Sequence, residues 1–511
     1  MKLLRSAVAC LMSTVFAIAA AEAPSGPVAV TVDANAATTP FPHFWERMFG
    51  SGRAALALRT SYQRDLRMVK AVTGFEYVRF HGLLHDELGL FDLGEDGKPV
   101  YNYSYVDQIY DALLEAGVKP FVELSFMPQK LAADPDKIFG FWYKPNISPP
   151  KDYAQWDALI DALMRHLVDR YGIHEVATWY FEVWNEPNAG FWGGEPYQPT
   201  YFELYDHTAR AIKRVDARLR VGGPSSAQAA WSGDFVRHCV EHGIPVDFVS
   251  THVYANDSPE DVFGNSEPVP REKMTCRAVR KARDEIRHSA RPALPLIFSE
   301  YNASFAREPN ITDTDFMAAW LASTISQCDG LAEMMAQWTF SDVFEEGGVI
   351  KSPFHGGFGI VAEYGLPKPA FNAYALLHDL GDKRLALESD SVLATRRADG
   401  ALVIALWNYA DPDATGESYT PPRAAGPARR FELTLKGLRA GASASLRRVD
   451  REHGNVIKTY DAMRRPPWPR REQVVQLREA AAAAPPESLP IDHGRIRLDV
   501  PVHGLALIEL R

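Results

Sequence analysis

The chain has 511 residues, of which 46% are hydrophobic and 23% charged, and its formal net charge is −10. This length exceeds what one ordinary hydrophobic core accommodates, so we expect a large domain and a smaller one. The negative charge disfavours a nucleic-acid partner, which requires a basic face, and it suits a neutral substrate.

The first 21 residues are predicted to form a secretory signal peptide. Lys2 and Arg5 precede an apolar run, and small residues at its end offer cleavage sites near Ala21 or Ala23. A membrane anchor is the alternative, although the run is short for a membrane span. We therefore expect a secreted or periplasmic protein without a membrane partner.

Three cysteines remain in the mature chain, Cys239, Cys276 and Cys328. An odd and sparse set of this kind is not the pattern of a disulfide framework. One disulfide and three free buried thiols both stay open as interpretations of these residues.

Short apolar runs alternate with helical patterns between residues 41 and 375. The clearest helix is predicted from Tyr153 to Tyr171, where large apolar residues recur on one face. Eight runs rich in β-branched and aromatic residues are predicted strands, at residues 45–50, 77–82, 120–125, 179–184, 219–223, 247–252, 296–300 and 333–338. This alternation predicts a (β/α)₈ TIM barrel of the α/β class, with a doubly wound open sheet as the alternative.

The last segment, residues 376–511, predicts an accessory antiparallel β-sandwich. Its short runs are separated by turn residues, and residues 496–500 alternate with the period of two that indicates a half-buried strand. A strand at residues 28–32 is placed to join this sandwich, so residues 22–40 are assigned to it. A short helix is predicted over residues 472–484, before two prolines.

Two glutamates stand at the ends of two predicted barrel strands. Glu186 follows the fourth strand and Glu300 ends the seventh. The carboxyl ends of barrel strands carry the catalytic groups of barrel enzymes. Two carboxylates that face one pocket are the minimum needed to break a glycosidic bond, and a separation of about 5–5.5 Å indicates a retaining mechanism whereas a wider one indicates inversion.

Other catalytic patterns are poorly supported. His81 and His85 have i, i+4 spacing but follow a strand and lack the glutamate of a zinc protease. The chain has no G-x-S-x-G elbow, and the glycine-rich run at residues 357–362 leads into prolines instead of a long helix. We therefore expect neither a catalytic metal nor a cofactor.

Five segments resemble the glycoside hydrolases of family 39, which include β-xylosidases and α-L-iduronidases. They are residues 77–84, 121–128, 184–188, 298–302 and 338–346. The resemblance implies that Glu186 is the general acid/base, that Glu300 is the nucleophile and that Asn185 holds the sugar 2-hydroxyl. It also implies a set of side chains that line the sugar subsite or shape its walls: His81, His252, Tyr254, Trp338, Glu345, Glu346, Phe126 and Phe191.

The implied substrate is an oligosaccharide or an aryl glycoside. The candidate pocket has few basic side chains beyond Arg79, whereas a uronate carboxylate requires a cation. We therefore expect a retaining exo-β-glycosidase, and specifically a β-xylosidase that releases xylose from the ends of xylo-oligosaccharides. The alternatives are an α-L-arabinosidase, a β-glucosidase, an α-L-iduronidase, or a carbohydrate-binding protein without activity.

Overall fold

A computed structural model of the protein describes residues 27–421 and 427–511, so the predicted signal peptide lies outside the described residues. Among the described residues, eight parallel strands close into a barrel in chain order. They are β1 Met48–Gly50, β2 Tyr77–Phe80, β3 Lys119–Leu124, β4 Tyr180–Val183, β5 Arg220–Ser226, β6 Phe248–Tyr254, β7 Leu296–Asn302 and β8 Met334–Gln337. Each overlaps one of the predicted strands. The TIM-barrel prediction is therefore confirmed, and the doubly wound alternative is wrong.

Helices alternate with these strands and cover the outside of the barrel. They are Thr60–Lys70, Ser104–Glu115, Tyr153–Tyr171, Ile173–Val176, Tyr197–Val215, Ser232–His242, Pro259–Phe263, Arg271–Arg287, Pro309–Thr312, Phe316–Cys328 and Pro369–His378. Two small hairpins lie in the loops, formed by Phe91–Leu93 with Pro99–Tyr101 and by Val361–Ala362 with Leu366–Pro367. No helix in the described part of the chain is both long and apolar enough to cross a membrane.

The helix Tyr153–Tyr171 has the bounds that its apolar pattern predicts. Asp152 caps its start, because its side chain accepts from the Ala154 amide at 2.8 Å. Gly172, with a φ of 79°, ends it in a conformation that glycine adopts readily. Its apolar stripe is fully buried against the barrel.

The interior of the barrel is layered, and this layering positions the site. Tyr77, Phe121 and Tyr180 belong to a buried apolar cluster contributed by the barrel strands. Two residues further along the same strands, Arg79, Glu123 and Glu182 are fully buried and polar. Because side chains alternate along a strand, both sets point inward. A polar layer therefore lies on an apolar one toward the carboxyl ends of the strands.

Two further sheets of the described residues pack face to face. The larger is antiparallel, with strands in the order Thr38–Pro40, Lys383–Leu385, Val392–Arg396, Leu402–Trp407, Leu505–Leu510, Ala444–Val449 and Glu487–Leu489. The smaller contains Val28–Asp33, Arg429–Lys436 and Arg495–Val500. Side chains of both sheets share one apolar core, so the accessory sandwich is confirmed.

One strand departs from the antiparallel prediction. Val28–Asp33 runs parallel to Arg429–Lys436. Parallel neighbours need a long crossover, and here the whole barrel lies between the two strands in the chain. The predicted domain boundary after residue 375 falls inside the helix Pro369–His378, and the domain limits stay predictions.

Two features complete the fold. Helices Ile457–Ala462 and Arg471–Ala481 form an insertion in the sandwich, and the second lies close to the predicted residues 472–484. Cys276 and Cys328 form a disulfide, while Cys239 is a free buried thiol. The structure therefore has one disulfide, which was one of the two interpretations left open by the sequence.

Candidate active site

Glu186 lies just beyond β4, in a turn with an unusual backbone. Trp184 and Glu186 have φ angles of 72° and 41°, which non-glycine residues rarely adopt outside functional sites. The Glu186 amide donates to the Ser225 carbonyl of β5 at 2.8 Å. Its carboxyl group lies beside His252 of β6, with 2.8 Å between Oε1 and Nδ1.

β7 is irregular where it carries Glu300. Its pairing with β8 shifts register within residues 298–301, as a β-bulge does. Strict alternation would send the adjacent Ser299 and Glu300 to opposite faces. Instead, Ser299 donates to Glu182 at 2.6 Å and Glu300 accepts from Arg79 at 2.7 Å. The irregularity therefore brings both side chains into one polar network.

Glu186 and Glu300, which the sequence predicts as the catalytic pair, meet in one site. A carboxylate oxygen of each and a ring nitrogen of His252 all lie within 4.8 Å of one another. Tyr254 Oη donates to Glu300 Oε2 at 2.5 Å, and Arg79 Nη1 donates to Oε1 at 2.7 Å. This separation suits direct attack by one carboxylate and is narrower than the roughly 6.5–9.5 Å that inversion requires.

The environment of Glu186 suits a general acid. Burial raises its pKa to about 7, although its side chain keeps 14% exposure. Burial also lowers the pKa of His252 to about 4. A neutral imidazole therefore adjoins a carboxyl group that is protonated below neutral pH. A pKa near the working pH is what proton donation to a leaving group needs.

Arg79 is the centre of a buried ion network. The sequence places Arg79 in the candidate pocket but does not predict its partners Glu123 and Glu182. Its guanidinium contacts Glu182 at 2.6 Å, Glu123 at 2.7 Å and Glu300 at 2.7 Å. All these side chains are nearly or fully buried. The signal in the sequence was a charged residue inside each otherwise apolar strand, because such a charge is retained in a core only with a partner.

His81 joins this network to the top of the pocket. Its Nδ1 lies 2.7 Å from Glu123, and its Nε2 lies 3.5 Å from Glu346. Burial lowers the pKa of His81, but the Glu123 carboxylate outweighs it and the pKa rises to about 9. Burial raises the pKa of Glu346 to about 8. The pocket thus holds a cationic imidazole beside a carboxyl group that stays protonated at neutral pH.

Glu345 and Glu346 have different surroundings, although the sequence predicts the same role for both. Glu345 accepts from Arg59 at 2.6 Å and from Arg53 at 3.1 Å. Its carboxylate is therefore occupied by two guanidinium groups, and only Glu346 of this pair approaches His81. Loop conformation decides this difference, and the sequence pattern carries no signal for it.

Asn185, which the resemblance assigns to the sugar 2-hydroxyl, lies beside Arg79. Its Oδ1 accepts from Arg79 Nη2 at 2.9 Å, which orients the side-chain amide. The other end of that amide, Nδ2, is a donor with no partner among the described residues. A sugar hydroxyl is a suitable acceptor for it.

The predicted aromatic residues divide between the pocket and its surroundings. The Trp338 ring lies 4.8 Å from the His81 ring, and Arg79 lies 5.7 Å from its centroid. Phe126 is fully buried, 6.1 Å from His81. Phe191 stacks on a neighbouring phenylalanine, with 4.1 Å between the ring centroids. Trp338 and Phe126 therefore lie beside His81 at the pocket, whereas Phe191 packs in an adjoining aromatic cluster.

Within residues 27–421 and 427–511, two sets of side chains have ligand atoms spaced closely enough for a metal ion. They are Glu186 with His252 and Glu300, and His43 with Glu46 and His378. In each set a hydrogen bond of 2.6 to 2.9 Å already joins imidazole to carboxylate. These bonds account for the closeness of the groups without an ion.

Comparisons with known proteins show which family the chain resembles over most of its length. The model of glycosyl hydrolases family 39 matches residues 28–493. A β-xylosidase of Geobacillus stearothermophilus is 38% identical over 92% of this chain and 93% of its own length. The crystal structure of a monomeric β-xylosidase from Caulobacter crescentus CB15 superposes with a TM-score of 0.86, at 35% identity, over 95% of this chain and 99% of that one. The human α-L-iduronidase is 29% identical over 48% of this chain and 39% of its own length.

Proposed function

The chain belongs to glycosyl hydrolases family 39, a family of retaining glycosidases, and on that premise we propose that it is an exo-acting β-xylosidase. Its substrates are the non-reducing ends of xylo-oligosaccharides and aryl β-xylosides, and its product is xylose. The observation that carries the proposal is the meeting of Glu186 and Glu300 within 4.8 Å in one buried site. The similarity to β-xylosidases over nearly the whole chain supports the choice of sugar.

In the first step Glu300 attacks the anomeric carbon and Glu186 protonates the departing oxygen. Arg79 and Tyr254 hold the two oxygens of Glu300, which fixes the direction of attack. The pKa of about 7 leaves Glu186 protonated in mildly acidic solution, so that it can give a proton to the leaving group. The products of this step are the free leaving group and a xylosyl ester of Glu300.

In the second step the roles of Glu186 reverse. Having lost its proton, its carboxylate takes one from a water molecule, which attacks the anomeric carbon of the ester. The bond to Glu300 breaks, and xylose leaves with the configuration that it had in the substrate. Division into two displacements replaces one difficult step by two easier ones.

The charges of the site favour a neutral sugar over a uronate. Arg79, the guanidinium nearest the catalytic pair, is saturated by Glu123, Glu182 and Glu300. A uronate carboxylate would need a cation of its own. The other cation of the pocket, His81, is already paired with Glu123 at 2.7 Å. This argument favours the β-xylosidase assignment over the α-L-iduronidase alternative.

Product analysis by proton NMR on an aryl β-xyloside tests activity and stereochemistry together. We expect β-xylose as the first product, followed by mutarotation. A panel of aryl glycosides measured in parallel should give the highest kcat/KM on the β-xyloside. Discrimination against the β-glucoside, which adds a hydroxymethyl group, is expected to be about 10- to 200-fold. A clear preference for an iduronide would reject the proposal.

We also propose that the protein is exported, as the amino-terminal sequence indicates. The disulfide between Cys276 and Cys328 supports this, since disulfides persist mainly in oxidising compartments. Fractionation of cells that express the full chain, with amino-terminal sequencing of the product, tests it. A cytoplasmic protein that keeps residues 1–21 would contradict it.

A further inference from the structure

Trp468 has the most exposed large hydrophobic side chain of the described residues, at 66%. It lies between prolines in the segment Pro466-Pro467-Trp468-Pro469, which the sequence sets apart and the catalytic site does not use. Prolines restrict the backbone on both sides of the ring. An exposed indole on a restricted segment is a candidate contact residue for a ligand, because Trp offers a large apolar face.

The segment is firmly held on the barrel. Tyr460 donates to the Pro466 carbonyl at 2.9 Å and packs its ring on Phe354 at 4.9 Å. Arg465 donates to the Phe354 carbonyl at 3.2 Å. The insertion helices share a buried apolar cluster with the barrel loops. The position of Trp468 is therefore fixed by packing and does not depend on a free loop.

Trp468 forms one side of a cleft of about 250 Å³. Val349, which is 64% exposed, lines it on the barrel side. Polar residues also line it, including Arg59, Glu345 and Glu363. A flat apolar ring with hydrogen-bonding groups around it is the pattern that binds a sugar, whose C–H face packs on the ring while its hydroxyls reach the polar rim.

The cleft adjoins the catalytic pocket. Glu345 lines the cleft, and the next residue, Glu346, faces His81 inside the pocket. The Glu346 carbonyl accepts from the amide of Trp142, whose exposed ring lies against Gly348 in the same loop. One loop, residues 345–349, thus borders both spaces.

We propose that the Trp468 cleft is a distal subsite, which binds a sugar unit of a xylo-oligosaccharide several residues beyond the scissile bond. The choice of xylose units rests on the proposed function, whereas the existence of a sugar subsite rests on the cleft itself. The subsite increases the affinity for long substrates and makes no contact with an aryl xyloside, which ends inside the pocket.

The test compares chain lengths in matched variants. The ratio of kcat/KM on xylohexaose to kcat/KM on an aryl β-xyloside is measured for the wild type, Trp468→Ala and Tyr105→Ala. Tyr105, on the helix Ser104–Glu115, is another exposed aromatic residue, at 44%, and lies outside the cleft. We expect the ratio to fall roughly 5- to 30-fold in Trp468→Ala, as for loss of an important contact residue, and to stay at the wild-type value in Tyr105→Ala. Equal ratios in the two variants would overturn the proposal.

Binding to the Glu300→Ala protein separates this inference from the proposed function. Calorimetry with xylohexaose should show weaker binding when Trp468→Ala is added, while xylobiose binding changes less. A wild type that cleaves no xyloside would refute the function, yet Trp468-dependent binding of the hexaose would still uphold the subsite. Absence of Trp468-dependent binding would refute the subsite. Self-association of the wild type that Trp468→Ala abolishes would also refute it, because the ring would then belong to a contact between two copies of the chain.

Discussion

The Oε1 atom of Glu186 lies 2.8 Å from Nδ1 of His252, so the proposed general acid is hydrogen-bonded to an imidazole. Burial lowers the pKa of His252 to about 4 and raises that of Glu186 to about 7. His252 is therefore neutral over the whole range in which Glu186 titrates. Loss of the Glu186 proton, and not titration of His252, is expected to end activity on the alkaline side.

The first prediction is a bell-shaped pH dependence of kcat/KM with its alkaline limb near pH 7. Protonated Glu186 is the active form, so activity falls as the pH rises through its pKa. Glu186→Gln should lose this limb together with most of the activity. Glu346→Gln is the control, because Glu346 also has a raised pKa, of about 8, but does not donate the proton. An alkaline limb that survives in Glu186→Gln would reject its assignment.

The second prediction concerns the nucleophile. Glu300→Ala should lower kcat by about 10⁴-fold or more, because no other group can form the ester. A slow substrate with a fluorine at the 2-position should trap the ester in the wild type. Peptide mapping by mass spectrometry should then find the added mass on Glu300. A label on any other residue would show that the nucleophile is misassigned.

The third prediction separates the two chemical steps. In Glu186→Ala, substrates with good leaving groups should still form the ester, because they need no proton, while poor leaving groups lose about 10²- to 10⁴-fold in rate. Azide needs no general base and should restore turnover, with a β-xylosyl azide as the product. If azide has no effect and the variant resembles the wild type, Glu186 is not the acid/base.

Much of this site could be predicted from the sequence. Apolar runs of five or six residues between helical patterns locate all the barrel strands, and the fold places their ends together. The meeting of Glu186 and Glu300 in one site is predicted by their positions at two of these strand ends. Within the runs, Glu123 and Glu182 were visible as isolated charges, although the alternation alone does not say which cation pairs with them.

What the pattern misses depends on local irregularity. The bulge in β7 brings the side chains of Ser299 and Glu300 into one polar network, whereas a regular strand would place them on opposite faces. The difference between Glu345 and Glu346 depends on how a loop lies against Arg53 and Arg59, more than 280 residues away in the chain. Contacts of this range leave no periodic signal in a sequence.

The fourth prediction is a gain of stability in Glu186→Gln that depends on pH. The pKa of Glu186 is raised in the folded protein, so the wild type loses stability as the pH rises from about 4.5, the unfolded value, to about 7. The uncharged glutamine has no such loss. Glu186→Gln should therefore match the wild type near pH 4.5 and exceed it at pH 8, by at most about 3 kcal/mol. Urea unfolding at the two pH values measures the difference, and an equal effect at both would contradict the burial of this charge.

The fifth prediction concerns Arg79 as the support of the buried carboxylates. Arg79→Met leaves Glu123, Glu182 and Glu300 without their shared cation, and loss of one partner of a buried ion network costs about 3–5 kcal/mol. Arg430→Met is the control, because Arg430 and Asp499 form a pair that is 61% and 51% exposed and worth about 1 kcal/mol or less. Urea unfolding of the unliganded protein at neutral pH measures both. Because this loss of stability arises from ionised carboxylates, acidification should reduce it in Arg79→Met. If Arg79→Met loses no more stability than Arg430→Met does, the carboxylates are instead stabilised by protons that they share.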